Sequence, residues 1–105
     1  MIRVKFLFGN RQLTGFEISG HAMFAESGED VVCAAVSSAA YMAANTITDV
    51  IKAQAKAEAT NGNMRLLIAA PNEKTETVLR GMVLHLTELS KQYPENIKII
   101  YGGVK

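Results

Sequence analysis

The sequence has little cysteine and little net charge. Abundant cysteine or a large net charge would indicate an oxidising compartment or a charged partner. It contains one cysteine in 105 residues, so it cannot form an internal disulfide, which suits a reducing cytosol. Its formal net charge is +1, and this balance predicts no direct nucleic-acid or anionic-membrane partner. The amino terminus alternates charged and apolar side chains, unlike a signal peptide, and no stretch approaches the roughly 20 apolar residues of a membrane span. We therefore expect a cytoplasmic protein.

What the sequence does contain is typical of a globular domain. Apolar residues make up 49% of the chain and charged residues 20%, which are ordinary values for a soluble fold. The length is sufficient for one hydrophobic core without disulfides or metal. Because we find no repeat, linker or low-complexity segment, we expect residues 1–105 to form a single domain.

The hydrophobic pattern predicts five strands and two helices. Alternating apolar residues predict strands over 2–8, 12–19, 57–60, 64–69 and 97–101. Apolar residues spaced three and four apart predict two helices, one from 27 or 30 to about 55 and one from 73 to 93. The order is ββαββαβ. Two helices with one apolar stripe each are best buried side by side. The predicted fold class is therefore α+β, a two-layer sandwich with two helices on one face of a five-stranded sheet.

One stretch contains both the only cysteine, Cys33, and one of the two histidines, His21. Cysteine attacks as the thiolate, which a neighbouring histidine or a helix amino terminus favours. The pattern places Cys33 in the opening turns of the first helix and His21 just after the second strand, where a strand end and a helix start can meet. The N–H groups of the helix start can also stabilise the oxyanion of a tetrahedral intermediate.

Two further residues are candidates for supporting roles. Asp30 is close enough in the chain to orient the imidazole, as the third member of a triad does. It also suits a helix cap, either directly or in a capping box with Ser27. Ser37 lies one helical turn beyond Cys33 on the same face and can hydrogen-bond nearby.

The connection between the second strand and the first helix has the composition of a substrate loop. The segment Ala22–Glu29 is long for such a connection, and Gly20 and Gly28 bracket it. Glycine absorbs φ/ψ changes that other residues resist, so Gly20, Ala22 and Gly28 are expected in a loop and hinge that close over the thiol. An ordinary mobile loop has the same composition, and the residues alone leave both interpretations open.

A structural interpretation of the cysteine also remains open at this point. Free cysteine is among the most buried residue types, and its Val-Val-Cys-Ala-Ala context suits a small core residue. A zinc site has little support, because one cysteine and two histidines show no recognised ligand spacing. His85 suits a boundary position on the second helix, whereas Leu84 falls on the polar side of that helix.

Two neighbouring motifs resemble the signature of a known family. They are Ser19-Gly20-His21-Ala22 and Gly28-Glu29-Asp30-Val31-Val32-Cys33-Ala34-Ala35-Val36-Ser37. This pairing is similar to the one found in the ribosomal-processing cysteine proteases called Prp (YsxB-like). The resemblance in size and element order extends over the whole chain.

The resemblance implies a specific activity. Family members are cytoplasmic homodimeric proteases that need no cofactor or metal. They remove a short N-terminal extension, ending in a Phe-rich motif, from large-ribosomal-subunit protein twenty-seven. Carried over by position, Cys33 is the nucleophile and His21 the general base and acid, while Asp30 is matched as an orienting residue and Ser37 as a neighbour. Peptide hydrolysis would proceed through a thioester.

Two other classes of function make different predictions. A non-catalytic, ribosome-associated binding protein with a structural cysteine would keep its cellular activity when Cys33 is replaced by alanine. A thiol redox protein usually needs a resolving cysteine, and the sequence contains no second cysteine.

Overall fold

The computed structural model describes residues 1–20, 29–60 and 62–103, with the side chains of residues 29 and 30 outside that description. Its elements are β1 (Ile2–Gly9), β2 (Gln12–Ser19), α1 (Glu29–Asn45), a π-helical turn (Thr46–Val50), β3 (Ala55–Thr60), β4 (Asn63–Ile68), α2 (Glu73–Gln92) and β5 (Ile97–Gly103). This order confirms the predicted ββαββαβ arrangement and the α+β fold class.

The five strands form one mixed sheet in the order β3-β4-β2-β1-β5. All neighbouring pairs are antiparallel except β1 and β5, which run parallel. On β1, Ile2, Val4 and Phe6 are buried, as the period-two pattern predicts. The strands β1 and β2 are joined by a tight turn in which Asn10 and Arg11 both have positive φ, 51° and 66°, as in the hairpin turns that match strand twist.

The two helices bury their apolar stripes on one face of this sheet. The buried side chains of the helical layer are Val32, Val36, Ala40, Ala43, Ala44, Ile47, Thr75, Leu79, Met82 and Leu86. The amino terminus of α2 is closed by a capping box, in which the Asn72 side chain accepts from the Thr75 amide at 3.0 Å. Glu76 on the same turn accepts a hydrogen bond of 2.9 Å from the amide of Leu13. These contacts attach the start of α2 to the start of β2.

The first helix ends earlier than the sequence predicts. The apolar spacing continues to about Ala55, but the α-helix stops at Asn45 and a π-helical turn follows to Val50. This wider turn keeps Ile47 fully buried, while Val50 is 75% exposed. Lys52 then adopts a left-handed conformation, with φ of 60°, which a helix cannot continue through. As a result, β3 begins at Ala55, two residues before the predicted start of that strand.

The first helix and its π turn also correct the expectation about membrane spans. The segment Val31–Val50 is 20 residues long with a mean hydropathy of 1.4, which is long and apolar enough to cross a membrane by length and composition. In the fold, one side of this segment packs against the sheet as part of the hydrophobic core. A core helix of a soluble protein meets the same criterion, so the feature is weak evidence for a membrane.

Candidate active site

The strand order determines which end of the sheet is close to the start of α1. Residue Ala55, at the start of β3, pairs with Ile68 at the end of β4. Because α1 and its π turn lead into Ala55, their carboxyl end lies at that end of the sheet. Together they span 22 residues, 17 plus 5, or about 33 Å at 1.5 Å per residue. The helix therefore begins at the opposite end, where β2 finishes.

Cys33 lies at that end, as the fifth residue of α1. The first four N–H groups of a helix have no intrahelical acceptor, so the groups that can hold an oxyanion lie immediately before this residue. The Cys33 side chain is half-buried and packs against the hydrophobic core without being part of it. A thiol in this position is supported on one side by the core and keeps another side accessible.

Cys33 lies on the side of α1 that faces away from the second helix. A groove of about 880 Å³ runs between the helices, lined on α1 by Ala35, Ala39 and Met42 among others. At about 100° per residue, Met42 lies about 180° around the helix from Cys33. Ser37, by contrast, lies about 40° from Cys33 and is also half-buried. Cys33 and Ser37 thus share the flank of α1 that faces away from α2, as predicted for Ser37.

The second histidine lies on the wrong side of α1 to act on this thiol. His85 is exposed on α2 and lines the groove between the helices. The groove and Cys33 are on opposite flanks of α1, so the body of the helix separates the imidazole from the sulfur. This position makes His85 unsuitable as the partner of Cys33, and His21, the other histidine of the sequence, lies outside the described residues.

The residue before His21 is held tightly at the same end of the sheet. Gly20 follows β2 directly and has a φ of +88°, which side chains rarely adopt, and a Cβ at this position would overlap the carbonyl oxygen of Met1. Gly20 is therefore required by the local backbone, independently of any hinge. Sequence reasoning predicted the pairing of the first two strands, but the strand pattern does not indicate the positive φ of Gly20.

Several predicted site residues lie outside the described part of the chain. These are His21, Ala22 and Gly28, together with the Ser27 cap and the side chain of Asp30. Asp30 is the second residue of α1, so the helix begins before the position that a direct Asp30 cap requires. The catalytic role of Asp30 and the loop with its hinge stay predictions.

Replacing Gly20 by alanine is expected to destabilise the fold. The left-handed conformation and the overlap with Met1 together should cost about 1–3 kcal/mol, measured as the free energy of unfolding in urea. Gly81→Ala is the matched control. Gly81 lies inside α2, and no atom comes within 4 Å of the place that an added methyl group would take, so alanine there should stabilise by about 0.5–1 kcal/mol. Equal effects of the two substitutions would contradict the backbone assignment of Gly20.

Comparison with known proteins places the chain in a defined family. The family model described as "Cysteine protease Prp" matches residues 1–98. A curated relative from Mycoplasma pneumoniae, named "Ribosomal processing cysteine protease Prp", is 35% identical over 90% of this chain and 90% of its own length. A Bacillus subtilis protein of the same name is 24% identical over 86% of this chain and 87% of its own.

Solved structures share the same architecture. A Staphylococcus aureus Prp structure in complex with a substrate peptide superposes with a TM-score of 0.88 and 24% identity, covering 96% of this chain and 99% of that one. A second S. aureus Prp structure, with a covalently linked product peptide, gives a TM-score of 0.84 and 25% identity with the same coverage. The protein is thus a cysteine protease of the α+β class. Within that class, the chain belongs to the Prp family.

Proposed function

We propose that this protease processes a ribosomal protein, with Cys33 as its nucleophile. The observation that carries the assignment of the nucleophile is the cysteine count. A cysteine protease needs a thiolate, and this sequence offers a single cysteine. The position of Cys33 supports the role, because it follows the unpaired amides of a helix start and its side chain is only half-buried. The alternative of a non-catalytic binding protein with a structural cysteine does not fit a member of this family.

His21 acts as the general base and acid in this proposal. The support is elimination on geometric grounds, since His85 lines the groove on the opposite flank of α1. Gly20, which is described, places the chain at the end of the sheet where α1 begins. His21 is the next residue in the sequence, which supports this assignment. Asp30, in the first turn of α1, is proposed to orient the imidazole, as the acidic member of a triad does.

The chemistry follows from these positions. His21 accepts the proton of the Cys33 thiol, and the sulfur attacks the scissile carbonyl to give a tetrahedral oxyanion. The first amides of α1 stabilise that oxyanion. The intermediate collapses to a thioester as the C–N bond breaks, and His21 returns the proton to the leaving amine. Water, deprotonated by His21, then hydrolyses the thioester and regenerates the thiol. The covalently linked product peptide in the S. aureus structure supports a covalent route.

The proposed substrate is large-ribosomal-subunit protein twenty-seven, cut to remove a Phe-rich N-terminal extension. The names of the two curated relatives support a ribosomal substrate, and the resemblance of the His21 and Cys33 motifs supports this particular one. The test is incubation with the full-length ribosomal protein from the same organism, followed by intact-mass measurement. A product lacking the extension is expected. A matched substrate with the phenylalanines changed to serine should be cut far more slowly. Equal cleavage of both substrates would contradict the proposal.

We further propose that the protein works in the cytoplasm as a homodimer. The outer surface of the helical layer supports self-association, because Val31, Met42 and Leu84 are 67%, 66% and 64% exposed. Exposed apolar side chains beside a groove are typical of interaction surfaces. Sedimentation equilibrium at micromolar concentration should give about twice the chain mass of 11.4 kDa.

A charge placed in that surface provides the control for the dimer. Met42→Lys should shift the sedimentation result towards the monomer. Lys56→Met, at an exposed position of β3 away from the helices, should leave it unchanged. A wild-type monomer throughout the micromolar range would contradict the dimer, and a dimer unaffected by Met42→Lys would exclude this surface.

A further inference from the structure

The face of the sheet opposite the helices, which we call the open face, contains every charged residue of the five strands, together with Leu7, which is buried. Cross-strand register determines which residues share it. One row across the sheet contains Glu58, Arg65, Glu17 and Lys5, and the next row contains Asn63, Ser19, Arg3 and Lys98. Lys56 belongs to the same face, because it pairs with Leu67 next to Gly15.

Charge on this open face is distributed unevenly. Five cations and two acids give it a net charge of +3, although the whole sequence carries only +1. Arg65 pairs with Glu17 at 3.1 Å and Lys56 with Glu58 at 3.5 Å, so the half of the face formed by β3, β4 and β2 is neutral. The entire excess therefore belongs to Arg3, Lys5 and Lys98 on β1 and β5, which we call the cationic corner.

The three cations of this corner are neighbours in the sheet. Arg3 and Lys98 are register partners on adjacent parallel strands, which lie about 4.8 Å apart. The Cα atom of Lys5, two residues further along β1, lies about 6.6 Å from that of Arg3, and the Lys5 side chain extends over Gly102. None of the three makes an ion pair with any described residue. Like charges directly opposite each other in a sheet are destabilising, so the fold itself gives no reason for this arrangement.

We propose that the cationic corner binds the phosphate backbone of RNA. Closely spaced cations without counter-charges among the described residues complement a chain of phosphates, whose neutralisation provides sequence-independent affinity. Arg3 and Lys98 are exposed, and Lys5 is half-buried. No aromatic side chain among the described residues projects from this face, because Tyr101 pairs with Phe6 and shares the helical side. The contact is therefore to phosphates and involves no stacking on bases. The net charge of +1 predicts no direct nucleic-acid partner, whereas this proposal concerns a local contact with the backbone of RNA.

The position of the corner is compatible with simultaneous proteolysis. Arg3 and Lys98 lie at the end of the sheet where Gly20 and the start of α1 are found, but on the opposite face. RNA bound there leaves the helical side, and with it Cys33, open to a peptide. The choice of RNA over other polyanions rests on the proposed ribosomal function, whereas binding itself is measured without any proteolysis.

The test uses the full chain with a Cys33→Ala background and a fluorescein-labelled single-stranded RNA 12-mer. Binding is followed by fluorescence anisotropy between 50 and 200 mM salt. Three phosphate contacts predict a slope of log K against log salt of about −2, or a roughly 20-fold loss of affinity over that range. The double variant Arg3→Gln/Lys98→Gln should bind about tenfold more weakly at 50 mM salt. It should unfold at the same urea concentration as the parent or a higher one.

The matched control removes the same charge elsewhere. The double variant Lys52→Gln/Lys74→Gln changes two exposed cations outside the open face. Its affinity for RNA should stay within about twofold of that of the parent, because only the net charge of the protein changes. Equal weakening by both double variants would overturn the assignment to the corner. Absence of binding at 50 mM salt, or stronger binding to vesicles of anionic lipid than to RNA, would overturn RNA as the ligand. Each of these results leaves cleavage of the ribosomal protein, measured separately, unaffected.

Discussion

Replacing Cys33 with alanine is expected to abolish peptide cleavage, with a fall in rate on the order of 10⁴-fold or more. The substitution removes the attacking atom, and no other cysteine in the sequence can replace it. The fold should persist, because alanine is the strongest helix former and the lost side chain is only half-buried. We expect the free energy of unfolding in urea to change by less than about 1.5 kcal/mol.

A neighbouring residue of the same helix supplies the control for this experiment. Ser38→Ala removes a single side-chain oxygen from the exposed flank of α1 that lines the groove and should leave the rate within about twofold, as expected for a surface change. The rates are measured by the mass of the substrate fragments. Cleavage by Cys33→Ala at the wild-type rate would refute the thiol mechanism.

Replacing His21 with alanine is expected to slow cleavage by about 10²-fold or more, the scale on which a positioned acid–base group contributes. Alkylation of Cys33 by iodoacetamide at neutral pH should also slow, because less thiolate is stabilised. This second readout separates pairing with the thiol from a general effect on substrate binding.

The remaining histidine is the natural control. His85→Ala should retain both the cleavage rate and the alkylation rate, because His85 lies in the groove on the other flank of α1. The assignment of the base would be wrong if His85→Ala lost activity while His21→Ala kept it. An unchanged alkylation rate in His21→Ala would show that the two side chains are not paired before substrate binds.

Much of the fold was predictable, because strands and helices carry a periodic signal. The alternation of Ile2, Val4 and Phe6 correctly predicted β1 and which of its faces is buried. The parallel pairing of β1 with β5 was not predicted, since each strand pattern shows which face is apolar and leaves the neighbour undetermined. The irregularity in register at Leu7 and Phe8 was missed for the same reason.

The end of the first helix shows a different limit. Apolar residues continue with helical spacing beyond Val50, and so the pattern predicts a helix to about Ala55. What stops the helix is the left-handed Lys52, a residue type with no preference for that conformation. The start of β3, paired with β4, determines where the chain must leave the helical layer. A local pattern contains no information about such tertiary constraints.

The candidate site was predictable in its residue types and only partly in its geometry. A cysteine in the first turns of a helix was correctly predicted for Cys33. Its orientation relative to the second helix depends on how α1 and α2 pack, which the sequence does not specify. That packing excludes His85 as the base. The cationic corner could not be predicted from the sequence either. Arg3 and Lys98 are far apart in the chain and become neighbours only in the parallel register of β1 and β5.

The most direct test of Cys33 as the nucleophile is a titration of activity against its alkylation. The enzyme is treated with iodoacetamide for increasing times, and the modified fraction of Cys33 is determined by peptide mass mapping. The rate of cleavage is measured on the same samples. We predict that activity falls in proportion to modification and reaches zero when Cys33 is fully alkylated, and that an excess of Phe-rich substrate peptide slows both losses equally. Retention of activity by enzyme in which every Cys33 is alkylated would contradict the account.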